Sequence, residues 1–322
     1  MKSFAFAAVC GLASALNSTE LAYMNYLAEF GKAMNSVDEF NNRMSIFDAT
    51  SQFIEEVNAN PEHTWTAGHN QFSDWTHEEY QQLLGYKSGD MHVARHYQIF
   101  DESANADTVN WVTAGAVTAV KDQGSCGSCW SFSATGAIEG AHQIATGKLL
   151  SFSEQQLVSC STANYGCNGG WQYKAFVYYE SNKAELESVY PYTSGSGSVA
   201  KCAYSESSAT AVNVSKYAFV TADSVSQMKA ALMTQPLAVS IEADKKVFQT
   251  YSSGVLNTTT CGTNLDHAVL AVGYGNENGT DYWLVKNSWS KTWGENGYIK
   301  LAVVDGKGIC GVQMEPLTVN TN

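Results

Sequence analysis

The sequence predicts an α+β protein with two lobes, preceded by a smaller helical unit. The predicted helices lie mostly before about residue 183, and short β-like runs dominate after about residue 212. Residues 85–104 carry no periodicity and are predicted to be a linker. The 322 residues, 44% of them hydrophobic, are enough for a large core and exceed the usual length of one compact domain.

Residues 1–15 have the pattern of a secretory signal peptide, with an ordinary first helix as the alternative. Lys2 supplies a positive charge, Phe4–Leu12 is apolar, and residues 13–15 form an A-x-A end. The apolar stretch is too short to cross a bilayer, and no later segment reaches about 18 unbroken apolar residues. We therefore expect no membrane anchor.

The chain is acidic, with a formal net charge of −13 and a pI of about 4.9. An acidic surface repels phosphate backbones, so nucleic acid is not expected as a partner. The charge suits an acidic compartment, although many soluble proteins are acidic without that reason. Four Asn-x-Ser/Thr sequences are candidate glycosylation sites, and they are Asn17, Asn213, Asn257 and Asn278.

Residues 16–104 make up the helical unit. Its pattern is helical from Glu20 to Asn58, and one stripe of a helix carries six residues spaced by three or four, namely Glu39, Arg43, Phe47, Thr50, Ile54 and Asn58. The run Gly68–Asp74 is predicted to be extended. Thr76 and the pair Glu78-Glu79 then predict a capped short helix that ends at Leu84.

The remainder combines helices with short strands. Cys129–Thr146 is predicted to be a helix closed by Gly147, and helices are also predicted at 170–183 and near Val225–Met233. Tyr190–Ser208 is a Ser/Gly-rich loop. The predicted strands include Val212–Val220, Leu237–Glu242, Ala268–Tyr274, Asp281–Lys286 and Gly297–Val303.

Seven cysteines follow the predicted signal peptide, which itself contains Cys10. An odd number in a secreted protein indicates three bridges and one free thiol. Six cysteines allow 15 pairings, so spacing alone does not choose among them.

Cys129 is the candidate nucleophile. It begins a predicted helix, and a helix N-terminus lowers the pKa of a thiol. With Cys126 it also forms a C-x-x-C pair, which is the pattern of a redox dithiol or of half a zinc site. No second C-x-x-C occurs in the sequence, so neither a metal nor a cofactor is expected.

Three further side chains complete a candidate catalytic set. His267 precedes the apolar run 268–273 and can act as the base at the mouth of a cleft, with a buried structural histidine as the alternative. Asn287 can orient the imidazole through its amide, although an Asn-Ser pair is usually a turn. Gln123 can donate to an oxyanion together with the backbone N–H of Cys129; otherwise it is a residue of a surface loop.

These motifs resemble those of the papain-like cysteine proteases, most closely the cathepsin L group, from about residue 20 to the C-terminus. They comprise Gln123-Gly-Ser-Cys-Gly-Ser-Cys129-Trp, Ser153-Glu154-Gln155, Gly166-Cys-Asn-Gly-Gly170, Leu265-Asp266-His267-Ala268 and Lys286-Asn287-Ser-Trp289. The helical stripe, with Thr50 in place of Asn, is similar to that of the group's inhibitory propeptide. The propeptide's second motif corresponds to Gly68, Asn70, Phe72 and Asp74.

The resemblance implies a propeptide at 16–104, cleavage near Ala104–Ala106 and a peptidase at 105–322. That peptidase would have the papain-like two-lobe fold, a helical lobe and a β-barrel lobe with the cleft between them. The implied roles are nucleophile for Cys129, acid/base for His267, orienting group for Asn287 and oxyanion donor for Gln123. The implied disulfides are Cys126–Cys167, Cys160–Cys202 and Cys261–Cys310.

The resemblance also implies which residues bind substrate, and these are Gly170, Trp171, Leu265, Asp266, Ala268, Trp289 and Glu315. Glu315 stands five residues after Cys310, where the family places the floor of its main specificity pocket. A carboxylate at the end of an apolar pocket predicts acceptance of arginine as well as of phenylalanine or leucine. A glutamate turned to solvent is the alternative.

The combined interpretation is an endopeptidase zymogen of the secretory pathway, destined for a lysosome, a digestive vacuole or the outside of the cell. Its expected partners are protein and peptide substrates, its own propeptide and cystatin-type protein inhibitors. A non-catalytic, protein-binding relative of the same fold is the alternative. The presence of both Cys129 and His267 disfavours that alternative.

Overall fold

The computed structural model describes residues 17–89, 95–103 and 106–322. The predicted signal peptide at 1–15 lies outside the described residues, as do two residues of the predicted cleavage region, Ala104 and Asn105. Within the described ranges no helix is both long and apolar enough to cross a membrane.

The helical unit contains α1 (Ser18–Glu29), α2 (Val37–Ala59), β1 (Trp65–Ala67) and α3 (His77–Gln81). The helical pattern predicted over Glu20–Asn58 is therefore interrupted. Gly31 adopts a left-handed conformation, with φ of +61°, just after α1 ends. Ser36 then begins α2 by accepting a hydrogen bond from the backbone N–H of Glu39. The six-residue stripe lies entirely on α2, as predicted for a single helix.

The short helix α3 has the predicted cap. The Thr76 hydroxyl accepts a hydrogen bond from the backbone N–H of Glu79, and the Glu79 carboxylate accepts one from the backbone N–H of Thr76. This capping box begins the helix where the sequence indicated. In the run Gly68–Asp74, residues 68–70 belong to no helix or strand and residues 71–74 form turns. The prediction of an extended segment is therefore wrong for its second half.

The helical lobe contains α4 (Cys129–Thr146), α5 (Glu154–Cys160) and α6 (Gln172–Ser181). The bounds of α4 match the prediction, and Gly147 ends it in the left-handed conformation with φ of +75°. The disulfides are Cys126–Cys167, Cys160–Cys202 and Cys261–Cys310, the pairings that the resemblance implies.

The second lobe is built on a mixed sheet. Its elements are β2 (Tyr97–Gln98), β3 (Val109–Asn110), β4 (Val214–Val220), α7 (Val225–Leu232), β5 (Leu237–Ile241), α8 (Lys246–Gln249), β6 (Tyr251–Leu256), β7 (His267–Glu277), β8 (Thr280–Lys286), β9 (Tyr298–Ala302) and β10 (Leu317–Thr321). The strand order is β1-β6-β9-β8-β7-β5-β10-β4-β2, and β3 pairs with β7. The five predicted strands are all present, with bounds shifted by no more than three residues.

Five strands of this sheet, β1, β2, β3, β6 and β10, are not among the predicted ones. Two of these five, β1 and β2, come from the helical unit and its linker. β1 pairs with β6, and β2 pairs in parallel with β4 at the other end of the sheet. The prediction of an unstructured linker at 85–104 is thus wrong at Tyr97–Gln98. Both pairings join segments more than 100 residues apart in the sequence, so local periodicity carries no sign of them.

Candidate active site

Cys129 begins α4 and is fully buried. Among the cysteines of the described ranges it is the one without a disulfide partner. Cys126 is bridged to Cys167, so the C-x-x-C pair is not a dithiol and the redox alternative fails. No group of three possible metal-ligating side chains occurs in the described part of the chain.

The base candidate stands at the start of β7, and its partner follows β8, the neighbouring antiparallel strand. His267 Nε2 lies 2.8 Å from Asn287 Oδ1, a hydrogen bond that fixes the orientation of the ring. The Trp289 ring stacks on the imidazole with a centroid separation of 4.6 Å and shields this bond from water. His267 Nδ1 is buried and has no hydrogen-bond partner among the described residues, which leaves it available for a proton.

Burial sets the protonation of both groups. It raises the pKa of the Cys129 thiol to about 11, while backbone hydrogen bonds from Ala268 and Gly85 act in the opposite direction. Burial also lowers the pKa of His267 to about 4, against the effect of the hydrogen bond to Asn287. In this covered state both groups are therefore neutral between about pH 4 and 11. This environment therefore does not favour a thiolate–imidazolium ion pair between Cys129 and His267.

Gln123 is held by three hydrogen bonds. Its Nε2 donates to the backbone carbonyl oxygens of Leu83 and Cys126, both at 2.8 Å. Its Oε1 accepts from Ser288 Oγ at 2.7 Å. The amide N–H predicted to bind an oxyanion is thus occupied by a carbonyl of the helical unit.

Residues 83–87 run across the candidate cleft. Gly170 N–H donates to the carbonyl of Gly85 at 2.8 Å, and Tyr86 N–H donates to the carbonyl of Asp266 at 2.8 Å. A Cβ added at Gly85 would lie 1.8 Å from the carbonyl oxygen of Gly127, so this position accommodates only glycine. We name residues 83–87 the cleft segment.

No periodic pattern predicts the cleft segment, because it falls at the end of a short helix and the start of a non-periodic stretch. The Gly85-Tyr86 pair is the signal that was available: a glycine where backbones must approach closely, followed by a large aromatic residue.

Glu315 faces inward, with 13% of its side chain exposed, so the solvent-facing alternative is wrong. It accepts a hydrogen bond from the Tyr86 hydroxyl and forms an ion pair with Arg95, whose Nη2 lies 2.7 Å from Oε1. Three of the predicted substrate-binding residues, Trp171, Leu265 and Ala268, belong to the same buried hydrophobic cluster as Tyr86. An aromatic ring therefore occupies an apolar pocket that ends in a carboxylate.

The second motif of the helical unit docks next to the candidate catalytic residues. Asn70 Nδ2 donates to the carbonyl of Gln249 at 2.7 Å, and Gln71 Nε2 donates to the carbonyl of Trp289 at 2.7 Å. The Phe72 ring meets Trp289 edge-on at 5.4 Å. Trp289 is therefore covered by the helical unit on one side and packed on His267 on the other.

A polar network holds the helical unit together. The fully buried carboxylate of Asp74 accepts hydrogen bonds from the hydroxyls of Tyr23 and Tyr26, each at 3.1 Å, and forms an ion pair with Lys32. Arg43 contacts Glu79, with 2.7 Å between Nη2 and Oε1.

Two stripe residues make further contacts. Asn58 pairs with the backbone of Ala67 through two hydrogen bonds of 2.9 Å. Thr50, the departure from the expected Asn, lies 3.3 Å from Nζ of Lys246 on α8. The threonine at position 50 therefore contacts the second lobe.

Comparisons with known proteins cover both parts of the chain. The family model for papain family cysteine proteases matches residues 105–320, and that for the cathepsin propeptide inhibitor domain (I29) matches residues 23–80. A probable cysteine protease, RD21B of Arabidopsis thaliana, is 43% identical over 310 residues. That match covers 93% of this chain and 66% of the plant protein, so the chain spans just under two thirds of that relative.

Two other relatives are covered almost completely. Digestive cysteine proteinase 1 of Homarus americanus is 42% identical over 298 residues, covering 89% of this chain and 91% of the lobster protein. The structure of digestive procathepsin L 3 from the larval midgut of Tenebrio molitor superposes with a TM-score of 0.84 at 34% identity. It covers 95% of this chain and 100% of the insect chain.

Proposed function

The chain belongs to the papain family of cysteine proteases, and on that basis we propose that it is the zymogen of a cysteine endopeptidase. The hydrogen bond between His267 and Asn287, beside a buried free thiol at Cys129, is the observation that carries this proposal. The backbone of Ala268, the residue after His267, hydrogen-bonds to the Cys129 sulfur and so brings β7 to the start of α4.

In the proposed reaction the Cys129 sulfur attacks the carbonyl carbon of a peptide bond, and its proton passes to His267. The side-chain N–H of Gln123 and the backbone N–H of Cys129 bind the resulting oxyanion. His267 then protonates the leaving amine, which leaves an acyl-enzyme thioester that water hydrolyses. Asn287 keeps the imidazole in one tautomer and orientation throughout.

Residues 16–104 are the proposed propeptide, cleaved near Ala104–Ala106 to leave about 218 residues (322 − 104). The cleft segment supports this role, because it occupies the oxyanion donor and buries the thiol. Removing it would readmit water to Cys129 and His267. Because desolvation is the largest cause of both pKa shifts, removal would favour the thiolate–imidazolium pair.

The proposed specificity is dual. Glu315 at the end of an apolar pocket would pair with an arginine side chain, and the pocket walls would accept phenylalanine or leucine. Within the zymogen this carboxylate already contacts an aromatic hydroxyl, from Tyr86, and a guanidinium, from Arg95. The proposed partners are peptide and protein substrates, the propeptide itself and cystatin-type inhibitors.

Papain-like proenzymes with this propeptide are generally proteins of the secretory pathway. A lysosome, a digestive vacuole or the extracellular space is the proposed destination of this chain. The acidic composition suits the first two, because low pH neutralises part of the net charge of −13.

The test is to activate the full-length protein at acid pH and treat it with an irreversible epoxide thiol trap. Mass spectrometry should find one trap molecule on Cys129 of the processed protein and none on unprocessed zymogen. The processed protein should cleave dipeptide-coumarin substrates, and a Cys129→Ser chain should neither cleave nor be labelled. A processed wild-type protein that binds peptides without cleaving them or reacting would establish the non-catalytic alternative.

A further inference from the structure

Residues 95–103 lie on the second lobe, where they add a strand to its sheet. In this segment β2 pairs in parallel with Phe219 and Val220 of β4, and the carbonyl of His96 accepts a hydrogen bond from Phe219 N–H at 2.8 Å. β4 is the last strand of the sheet when β2 is absent. An uncovered edge strand presents unpaired N–H and C=O groups, which bind extended peptides.

Gln227 of α7 binds the backbone of the same segment at one residue. Its Oε1 accepts from Phe100 N–H at 2.9 Å, and its Nε2 donates to the Phe100 carbonyl at 2.9 Å. The Phe100 side chain is 9% exposed and belongs to the buried cluster that includes Val220 and Met228. The surface therefore has a position that binds an extended backbone and buries its aromatic side chain.

Arg95, at the other end of the segment, reaches the specificity pocket. Its guanidinium packs over the Phe219 ring at 5.1 Å and pairs with Oε1 of Glu315 at 2.7 Å. The second oxygen of Glu315 accepts the hydrogen bond from Tyr86 inside the pocket. Glu315 is thus shared by the pocket and by the surface that holds residues 95–103.

We propose that β4, Gln227 and Glu315 form a peptide-binding exosite, and that residues 95–103 remain its ligand after the cleft segment has been removed. Bound Arg95 would then neutralise Glu315, so the pocket would reject arginine and still accept phenylalanine. Release of the segment would restore acceptance of arginine. This inference rests on the proposed function, because it takes Glu315 as the floor of the pocket.

These contacts predict a modest affinity of the segment for the exosite. A two-residue strand pairing, one buried aromatic side chain and one partly exposed ion pair correspond to a Kd on the order of 10–100 μM for a short peptide. Such a ligand would persist where the excised segment stays concentrated, and would be lost on dilution. Specificity would then follow the concentration of the cleaved propeptide.

The test uses enzyme processed from the full chain and passed over a gel-filtration column to remove small peptides. A fluorescein-labelled nonapeptide of residues 95–103 is titrated against enzyme whose thiol has been blocked by the epoxide trap, and anisotropy reports binding away from the filled cleft. Unlabelled peptide is then added to active enzyme with Arg-Arg and Phe-Arg coumarin substrates. Peptides with Arg95→Ala or Phe100→Ala, and a scrambled peptide, are the controls.

The native peptide should bind the blocked enzyme, and the Phe100→Ala peptide should bind at least tenfold more weakly. At saturation the native peptide should lower kcat/KM for Arg-Arg at least tenfold and for Phe-Arg less than twofold, while the Arg95→Ala peptide should leave both values unchanged. Absence of binding to blocked enzyme would overturn the exosite and leave the protease intact.

Equal inhibition of both substrates would also overturn the inference, because it would place the peptide in the cleft. An enzyme that cleaves Phe-Arg but never Arg-Arg would overturn the specificity coupling. Failure to cleave either substrate, in contrast, would count against the proposed protease function itself.

Discussion

The side-chain amide of Gln123 donates a hydrogen bond to the backbone carbonyl of Leu83, with 2.8 Å between nitrogen and oxygen. Gln123 is the proposed oxyanion donor, and Leu83 belongs to the proposed propeptide. Inhibition and catalysis would therefore depend on the same N–H group. The proposed zymogen would be blocked at the donor that the transition state requires, as well as at the thiol.

Replacing Gln123 with alanine should lower kcat/KM for peptide substrates by roughly 100- to 1000-fold, because one oxyanion donor is lost. Alkylation of Cys129 by iodoacetamide forms no oxyanion, so its rate should fall less than tenfold. Both rates are measured on processed enzyme. Equal losses would assign the damage to the thiol and contradict an oxyanion role.

The zymogen should react slowly with thiol reagents. A pKa of about 11 instead of 9 leaves about 100-fold less thiolate at any pH below 9, and full burial hinders access further. Iodoacetamide should therefore modify Cys129 at pH 6 at least 100-fold faster in processed enzyme than in zymogen. The same zymogen unfolded in urea is the control for a free thiol. Equal rates in both folded forms would show that the propeptide does not mask the sulfur.

Replacing Glu315 with alanine should reduce kcat/KM for an Arg-Arg substrate at least tenfold, because a partly buried charge-assisted pair is lost. The value for Phe-Arg should change less than threefold, since the apolar walls remain. Glu206, whose side chain is 74% exposed, provides the matched control as Glu206→Ala. Equal loss of both substrates after Glu315→Ala would disprove a selective role for this carboxylate.

Asp74 should be essential to the helical unit. Alanine there leaves two buried tyrosine hydroxyls and Lys32 without their shared acceptor, which costs about 3 kcal/mol. On a Cys129→Ser background the propeptide of Asp74→Ala should be cut faster at neutral pH by added active enzyme. Glu56→Ala, which removes an exposed carboxylate from α2, should be cut at the wild-type rate. Identical rates for the two variants would contradict this role.

Ionisation of Glu187 should lower the free energy of unfolding as the pH rises towards about 7. Burial and the nearby Glu154 raise the pKa of Glu187 from 4.5 to about 7. The folded state therefore holds the proton more tightly than the unfolded state, and this contribution is complete below about pH 4.5 and lost as the pH rises through about 7. After discounting for partial exposure, the loss in the free energy of unfolding is about 1 kcal/mol.

Glu187→Gln keeps an oxygen to accept the backbone N–H of Tyr192, which lies 2.8 Å from Oε1. Urea unfolding of Cys129→Ser zymogen at pH 4.5 and 8 should show a smaller pH dependence in this variant than in the parent. Glu206→Gln should behave like the parent. An unchanged pH dependence in Glu187→Gln would contradict the assignment.

Much of the fold could be predicted from interactions between residues that are close in the sequence. Hydrophobic spacing, a capping box at Thr76 and a left-handed glycine at position 147 depend on neighbours within one turn, so the sequence displays them directly. The break at Gly31, by contrast, interrupts a helical pattern that continues on both sides. A single glycine is compatible with a helix interior as well as with a turn, so the sequence did not predict this break.

The α+β class, the family and the residue types available for catalysis can all be inferred from the amino-acid sequence alone. These follow from short motifs and from periodicity. The folded structure is needed to show that residues 83–87 lie over Cys129, that residues 97–98 extend a sheet through β4 and that Glu315 faces Tyr86 and Arg95. Each of these depends on pairing between distant segments, which no local pattern encodes. The protonation of Cys129 and His267 belongs to this second group, because it is set by how completely water is excluded from them.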